Sequence, residues 1–266
     1  MIKLVATDID GTILGKSGEF TEGVKSCIKK LQENDVKVVI VTGRMHAAAK
    51  QIAERLNLDT PVVSYQGGLI KDKNNNILYE KYLPNDIVKQ IITWGRMNNV
   101  HLNLYKNDIL YSEQDDYEIK TYSKYQNLEY IVEDFTKISH NNVHKLLAID
   151  YNDAERVTNW VDTMTKELPN LHICKSTPHF CEFSTLDATK YCAVKFLQNH
   201  WGFSDDEILT IGDQDNDIEL LKAGGISVAM ENGTDTLKQY ADYVTDNVEN
   251  DGFVKAIEKF VFKGEQ

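Results

Sequence analysis

The chain has 266 residues, 42% hydrophobic and 26% charged, enough for a sizeable core in one large domain or two small ones. A formal net charge of −12 argues against general nucleic-acid binding and against anionic membrane surfaces. It leaves room for a phosphate substrate, because a metal ion and a few local cations can reverse the field. No basic stretch leads into a long apolar one, Val36 to Val41 is far too short to span a bilayer, and Cys27, Cys174, Cys181 and Cys192 lack C-x-x-C spacing. A cytoplasmic protein with reduced thiols is expected.

The apolar run from Leu4 to Thr7 predicts a buried strand that ends in Asp8-Ile9-Asp10-Gly11-Thr12. Side chains two apart on a strand share a face, so Asp8 and Asp10 are expected to start close together, with Gly11 turning the chain. Thr21 caps a helix bearing Val24, Ile28 and Leu31. Val36 to Val41 is a second strand, ending in Thr42-Gly43-Arg44. A helix with Ala48, Ala49, Ile52, Ala53 and Leu56 inward follows, then a third strand at Pro61 to Ser64, ending in Gln66-Gly67-Gly68. This alternation implies a parallel, doubly wound sheet that binds ligands at the strands' carboxyl ends.

The rhythm then changes. Leu69 to Leu83 reads as a hairpin turning at Lys73 to Asn76, and Pro84-Asn85 opens a helix. His101 to Tyr105 alternates like a half-exposed strand, followed by strand pieces at 109–111, 145–149, 171–175 and 180–183 and helices near 113–125 and 157–164. The doubly wound pattern resumes near Asp187. Lys190 starts a helix, Ile208 to Ile211 is an apolar strand ending in Gly212-Asp213-Gln214-Asp215-Asn216-Asp217, and further strands fall at 226–229 and 243–245. The expected fold class is α/β: a doubly wound parallel-sheet core from residues 1–83 and 187–266, with a smaller α+β unit, 84–186, inserted into it.

Four strand or helix ends thus bring polar groups to one edge. Two close carboxylates need a cation or a proton between them, and hard oxygen ligands suit Mg²⁺. Phosphate-monoester chemistry needs a carboxylate nucleophile, a second acid, a divalent ion, and cations and hydroxyls for the phosphoryl oxygens. In these residues the sequence resembles the haloacid-dehalogenase-type phosphatases, specifically the Cof-type branch with an inserted α/β cap. By that resemblance Asp8 is the nucleophile and a metal ligand, and Asp10 is the general acid/base and a ligand through its backbone carbonyl. Gly11, Thr12 and Arg44 support the site, Thr42 and Gly43 meet the phosphoryl oxygens, and Lys190 is the motif lysine. Asp213 binds the metal, Asn216 lies near the phosphate and Asp217 supports the shell.

Three positions depart from the family's pattern: Gln66 for the usual Asn, Tyr191 after the lysine, and Gly233 after Asn232. Tyr105, Lys175, His179 and Glu182 are the cap residues weighed as substrate contacts, and the seven histidines show no metal-ligand spacing. The expected activity is Mg²⁺-dependent hydrolysis of a small phosphorylated metabolite (a sugar phosphate, nucleotide or cofactor phosphate) through an aspartyl-phosphate. The protein would work as a monomer or homodimer, with no nucleic-acid or membrane partner. A phosphomutase of the same superfamily, or a non-hydrolytic phospho-acceptor module, is the alternative.

Overall fold

The computed structural model describes residues 1–262. In chain order the first part runs β1 (Leu4–Thr7), α1 (Glu22–Glu33), β2 (Lys37–Ile40), α2 (His46–Arg55), β3 (Val62–Ser64), β4 (Leu69–Lys71) and β5 (Ile77–Glu80). The middle runs α3 (Asn85–Met97), β6 (His101–Lys106), β7 (Ile109–Ser112), α4 (Tyr117–Gln126), β8 (Ile131–Val132), β9 (Val143–Ile149), α5 (Ala154–Glu167), β10 (Leu171–Thr177) and β11 (Phe180–Thr185). The last part is α6 (Lys190–Trp201), β12 (Ile208–Gly212), α7 (Ile218–Leu221), β13 (Ile226–Ala229), α8 (Asp235–Lys238), β14 (Tyr243–Val244) and α9 (Gly252–Phe260).

The core sheet has the order β14-β13-β12-β1-β2 and is parallel throughout. Its two faces explain the unbroken apolar runs of its strands. Val5, Val38, Ile40, Leu209 and Ile211 meet α1 and α9 on one side, while Leu4, Ala6, Val39 and Ile208 meet α6 and α7 on the other. The expected parallel third strand is only partly realised. β3 touches the end of β2 through a single parallel bridge, Val41 to Val63, and pairs along its length with β4 in an antiparallel β3-β4-β5 sheet. Three residues leave it no further reach before the chain turns at Tyr65.

The inserted cap is a six-stranded sheet, β10-β11-β9-β6-β7-β8, antiparallel except for the short β7–β8 pair. Helices α3 and α5 cover one face through Val88, Ile91, Ile92, Val157, Trp160 and Met164. The reading of β6 as half-exposed is overturned, since Asn103 and Tyr105 are both 0% exposed. The reason is that the second face is also covered: Tyr105, Leu147, Ile149 and Phe180 pack with Tyr122 of α4 and with Met45, Ala48, Tyr65 and Leu69 of the core. Polar contacts join the two parts. Tyr65 Oη donates to Asp108 Oδ1 at 2.8 Å, His144 Nε2 stands 3.0 Å from Glu80 Oε1, and the His144 ring stacks on Tyr65 at 4.7 Å.

His46, the first residue of α2, is buried beside this seam with Nδ1 3.4 Å from Ser64 Oγ. Burial, helped by Lys71 and Lys50 against Asp108, pushes its pKa down from 6.5 to about 4. The unfolded chain therefore takes a proton that the folded state refuses. The stability from a neutral His46 is complete above pH 6.5 and drains away as the pH falls toward 4, by about 3 kcal/mol in all. Urea midpoints measured across that window should fall for the wild type and fall less for His46→Gln; equal slopes would contradict the burial argument.

Candidate active site

β1 stops at Thr7, one residue before Asp8, so the strand periodicity invoked for Asp8 and Asp10 does not apply to them. They share a cavity for a different reason. The chain coils after Ile9, whose carbonyl accepts the N–H groups of Thr12, Ile13 and Leu14, and Gly11 turns at φ +80°. A Cβ on Gly11 would fall 2.2 Å from Asp213 Oδ2, so glycine provides both the turn and the close approach of the two acidic loops.

The second loop follows β12. Asp217 Oδ2 accepts the backbone N–H groups of Asp213 and Gln214 at 3.0 and 3.1 Å, folding the loop onto itself. Asp213 then receives Thr12 Oγ1 at 3.2 Å and Gln214 Nε2 at 2.9 Å. Lys190 enters as the first residue of α6, which Thr189 caps by accepting the Cys192 N–H. Gly67, at φ +108°, lets the turn after β3 pack against this helix start, because a Cβ there would lie 2.1 Å from the Thr189 carbonyl oxygen. Lys190 Nζ donates to Asp8 Oδ1 at 2.6 Å and to Asp217 Oδ1 at 2.5 Å.

Carboxylate oxygens of Asp8, Asp213 and Asp217 all lie within 4.8 Å of one another. The third carboxylate of this cluster is thus Asp217 and not the side chain of Asp10. Asp217 already accepts three hydrogen bonds, from Lys190 and the two backbone N–H groups, which leaves Asp8 and Asp213 as the more available ligands. One buried ammonium faces three buried carboxylates. Burial, opposed by Lys190, raises the Asp8 carboxyl well above its usual range, and burial followed by the Asp217 charge pushes Asp213 up to about 7. Burial also works against the Lys190 charge, but Asp217 and Asp8 outweigh it and hold the ammonium above its ordinary range. A hard, all-oxygen donor set short of positive charge is what a divalent ion such as Mg²⁺ fits.

Asp10 has a different partner. Arg44 grips it with two bonds, Nε to Oδ2 at 2.8 Å and Nη2 to Oδ1 at 2.6 Å, and Tyr125 of the cap reaches Oδ1 at 3.4 Å. Thr42 is buried at the end of β2, and its Oγ1 accepts the Arg44 N–H at 3.2 Å. Asn216 Nδ2 donates to Gln66 Oε1 at 3.3 Å. A cavity of 280 Å³ spans these groups, with Asp8, Asp10, Thr42, Arg44, Asp213 and Asn216 on its core side. Its cap side includes Tyr122, Tyr125, Gln126, Lys145, Ser176, Phe180 and Glu182.

Among the cap residues weighed from sequence, only Glu182 lines the cavity. Tyr105 lies beneath Lys145, Lys175 bonds Thr158 of α5, and His179 bonds the Asp150 backbone. Lys145 was missed. Its signal is a lysine inside Val143–Ile149, a strand buried at every position, matched by Glu182 between Cys181 and Phe183; a charge in such a run demands a partner. Gln66 adopts left-handed φ 60° and is buried against Gly43 and Asn216. Tyr191 is 37% exposed and does not line the cavity, since its ring packs with Lys195. Gly233 lets its loop close on Asp213, where a Cβ would lie 2.7 Å from the backbone oxygen. Another clustered set, His101, Asp116 and Glu118, has no free imidazole nitrogen, because Asp116 and Asn103 take both.

Comparison with known proteins agrees with this geometry. The profile of the haloacid dehalogenase-like hydrolases matches residues 5–257, and the chain belongs to that family. It is a Cof-type phosphatase within it. The chain is 28% identical over 261 residues to the 5-amino-6-(5-phospho-D-ribitylamino)uracil phosphatase YcsE of Bacillus subtilis, covering 98% of this chain and 96% of that one. A haloacid dehalogenase-like hydrolase from Bacteroides thetaiotaomicron superposes with a TM-score of 0.86 at 25% identity, covering 97% and 99% of the two chains. A Thermotoga maritima protein superposes at 0.83 and 28% identity, covering 97% of each. Among the described residues no helix is long and apolar enough to cross a membrane.

Lys190→Met should strand two buried carboxylates and cost about 3–5 kcal/mol at pH 7.5. The deficit should shrink at pH 5, as the orphaned Asp8 carboxyl, raised by burial, takes up a proton. Urea unfolding at the two pH values measures both; undiminished stability at pH 7.5 would refute the bridging role.

Proposed function

We propose that the protein hydrolyses a small phosphorylated metabolite in a Mg²⁺-dependent reaction through an aspartyl-phosphate on Asp8. The observation that carries this reading is the meeting of Asp8, Asp213 and Lys190 beneath a cavity whose rim holds Thr42 and Asn216. Asp8 and Asp213, with the Asp10 backbone carbonyl, would hold the ion. Bound there, it supplies charge to offset the phosphoryl oxygens and a fixed point that sets the ester in line with Asp8.

The chain's own groups then divide the work. One Asp8 oxygen is tied to Lys190, and among the described residues no protein donor reaches the other, which is the attacking atom. Lys190, the Thr42 hydroxyl, the Gly43 backbone and Asn216 face the phosphoryl oxygens. Asp10 protonates the leaving oxygen and later takes a proton from the attacking water. Its grip by Arg44 loosens as the incoming phosphate offers the guanidinium a second anion. The cap closes over the ester and sheds water before the first step.

On the cap side Lys145 and Glu182 neutralise one another, and the remaining groups are hydroxyls, an amide and aromatic or apolar faces. That rim suits an uncharged, hydroxyl-bearing leaving group, in keeping with the phosphorylated ribityl chain named for the Bacillus relative. Sugar phosphates, nucleotides and cofactor phosphates are the panel to screen. The free thiols fit a cytoplasmic setting.

The test is phosphate release from such a panel with and without Mg²⁺. Turnover should require the ion, stop on chelation, and vanish in Asp8→Asn while the thermal midpoint stays within a few degrees of the wild type. Hydrolysis that survives in Asp8→Asn would reject the assignment.

A further inference from the structure

The cap places a fully buried lysine directly on the loop assigned to phosphate. Lys145, in the middle of β9, is 1% exposed. Its Nζ donates to Glu182 Oε2 at 2.8 Å and to the backbone carbonyl of Gly43 at 2.8 Å, and stands 4.9 Å over the Tyr105 ring. An ammonium has three donors; two of them go to these oxygens, and the charge faces the Tyr105 ring. Lys145 borders the cavity, yet both of these hydrogen bonds run to the protein. What it holds is the core.

The carbonyl it holds belongs to the peptide unit joining Gly43 to Arg44. The N–H of that same unit donates to Thr42 Oγ1 at 3.2 Å. A peptide unit is planar, so fixing its oxygen fixes its N–H. With one lone pair taken by the Arg44 N–H, the Thr42 hydroxyl keeps its hydrogen for an acceptor in the cavity. Polarising the carbonyl also strengthens the N–H as a donor.

We infer that Lys145 is a positioning residue that couples cap closure to the phosphate loop, acting through the Gly43–Arg44 peptide to aim the Thr42 hydroxyl at the phosphoryl group. The inference rests on the phosphatase reading and on Thr42 as a phosphoryl ligand. Glu182 sets the lysine in turn. Burial raises its carboxyl, and the Lys145 charge and hydrogen bond outweigh that and hold it below the usual range. Gly43 packs closely on Gln66, where a Cβ would lie 2.4 Å from Nε2. With the cap open the lysine leaves with β9, and the peptide loses its outer tether.

A double-mutant cycle with Thr42 tests the relay, with acetyl phosphate as a donor too small to use the cap's leaving-group contacts. Thr42→Val should lower kcat about 100-fold. Lys145→Met should lower it roughly tenfold with KM within about twofold. The double variant should be no slower than Thr42→Val alone. Multiplying losses, an unchanged kcat, or an effect confined to KM would overturn the proposal. Lys145→Met strands Glu182, so the same cycle is run in a Glu182→Gln background, where no carboxylate is left unpaired if the single variant fails to fold. In metal-free protein the Arg44 amide ¹⁵N–¹H resonance should move on Lys145→Met, and an unmoved resonance overturns the relay whatever the turnover. A wild type that releases no phosphate from any donor with Mg²⁺ overturns the phosphatase reading instead.

Discussion

The ammonium of Lys190, wedged between Asp8 and Asp217, is the contact on which the site depends. All three groups are buried, so each would be costly alone, and together they fix one another's geometry. The bridge ties the start of α6 to the loops after β1 and β12, drawing three distant stretches of chain onto one point. It also leaves the cluster with more negative than positive charge. That imbalance is the physical basis for a cation there, and burial makes it costly to leave uncompensated.

The core was the legible part. β1, β2, β12 and β13 read correctly because both sheet faces are covered, which makes apolar runs continuous and separates them cleanly from the helices. The acidic loops were legible because Gly11 and Gly212 punctuate them at the places where backbone and carboxylate crowd together. The cap was harder. β6 looks half-exposed in sequence because Asn103 and Tyr105 carry polar groups, whereas both are buried, Tyr105 by the seam with Tyr65 and Tyr122. Lys145 and Glu182 lie 37 residues apart and meet only through the shared β9–β11 pairing, so no local spacing could join them. The partner of Asp10 was likewise hidden, because Arg44 comes from the end of a different strand.

The seam between core and cap is built from unlike parts that serve one geometry. Tyr65 stacks on His144, which Tyr82 meets at a tilt, Asp108 receives the Tyr65 hydroxyl and the Ala47 N–H, and Lys145 spans to Gly43. The aromatic contacts supply area, and the polar ones supply register. Tyr125 and Arg44 meet at Asp10 within the same seam, so the proposed acid is bordered by a core residue and a cap residue at once. Any motion that parts the two halves alters the surroundings of Asp10 and the tether on Gly43 together.

The pairing of β1 with β12 bears on how the protein is made. Leu4 lies beside Ile208 in the central sheet, so β1 waits for a neighbour translated some two hundred residues later. The inserted sheet, with a hydrophobic cluster of its own, leaves the ribosome before β12 does and has local partners in β6, β7 and α3. Contacts of such sequence separation are slow to form because a long loop must close before they reward the chain. A nascent chain therefore carries Asp8 and Asp10 through most of its synthesis without Asp213 beside them, and the acidic centre is assembled only as the polypeptide nears completion.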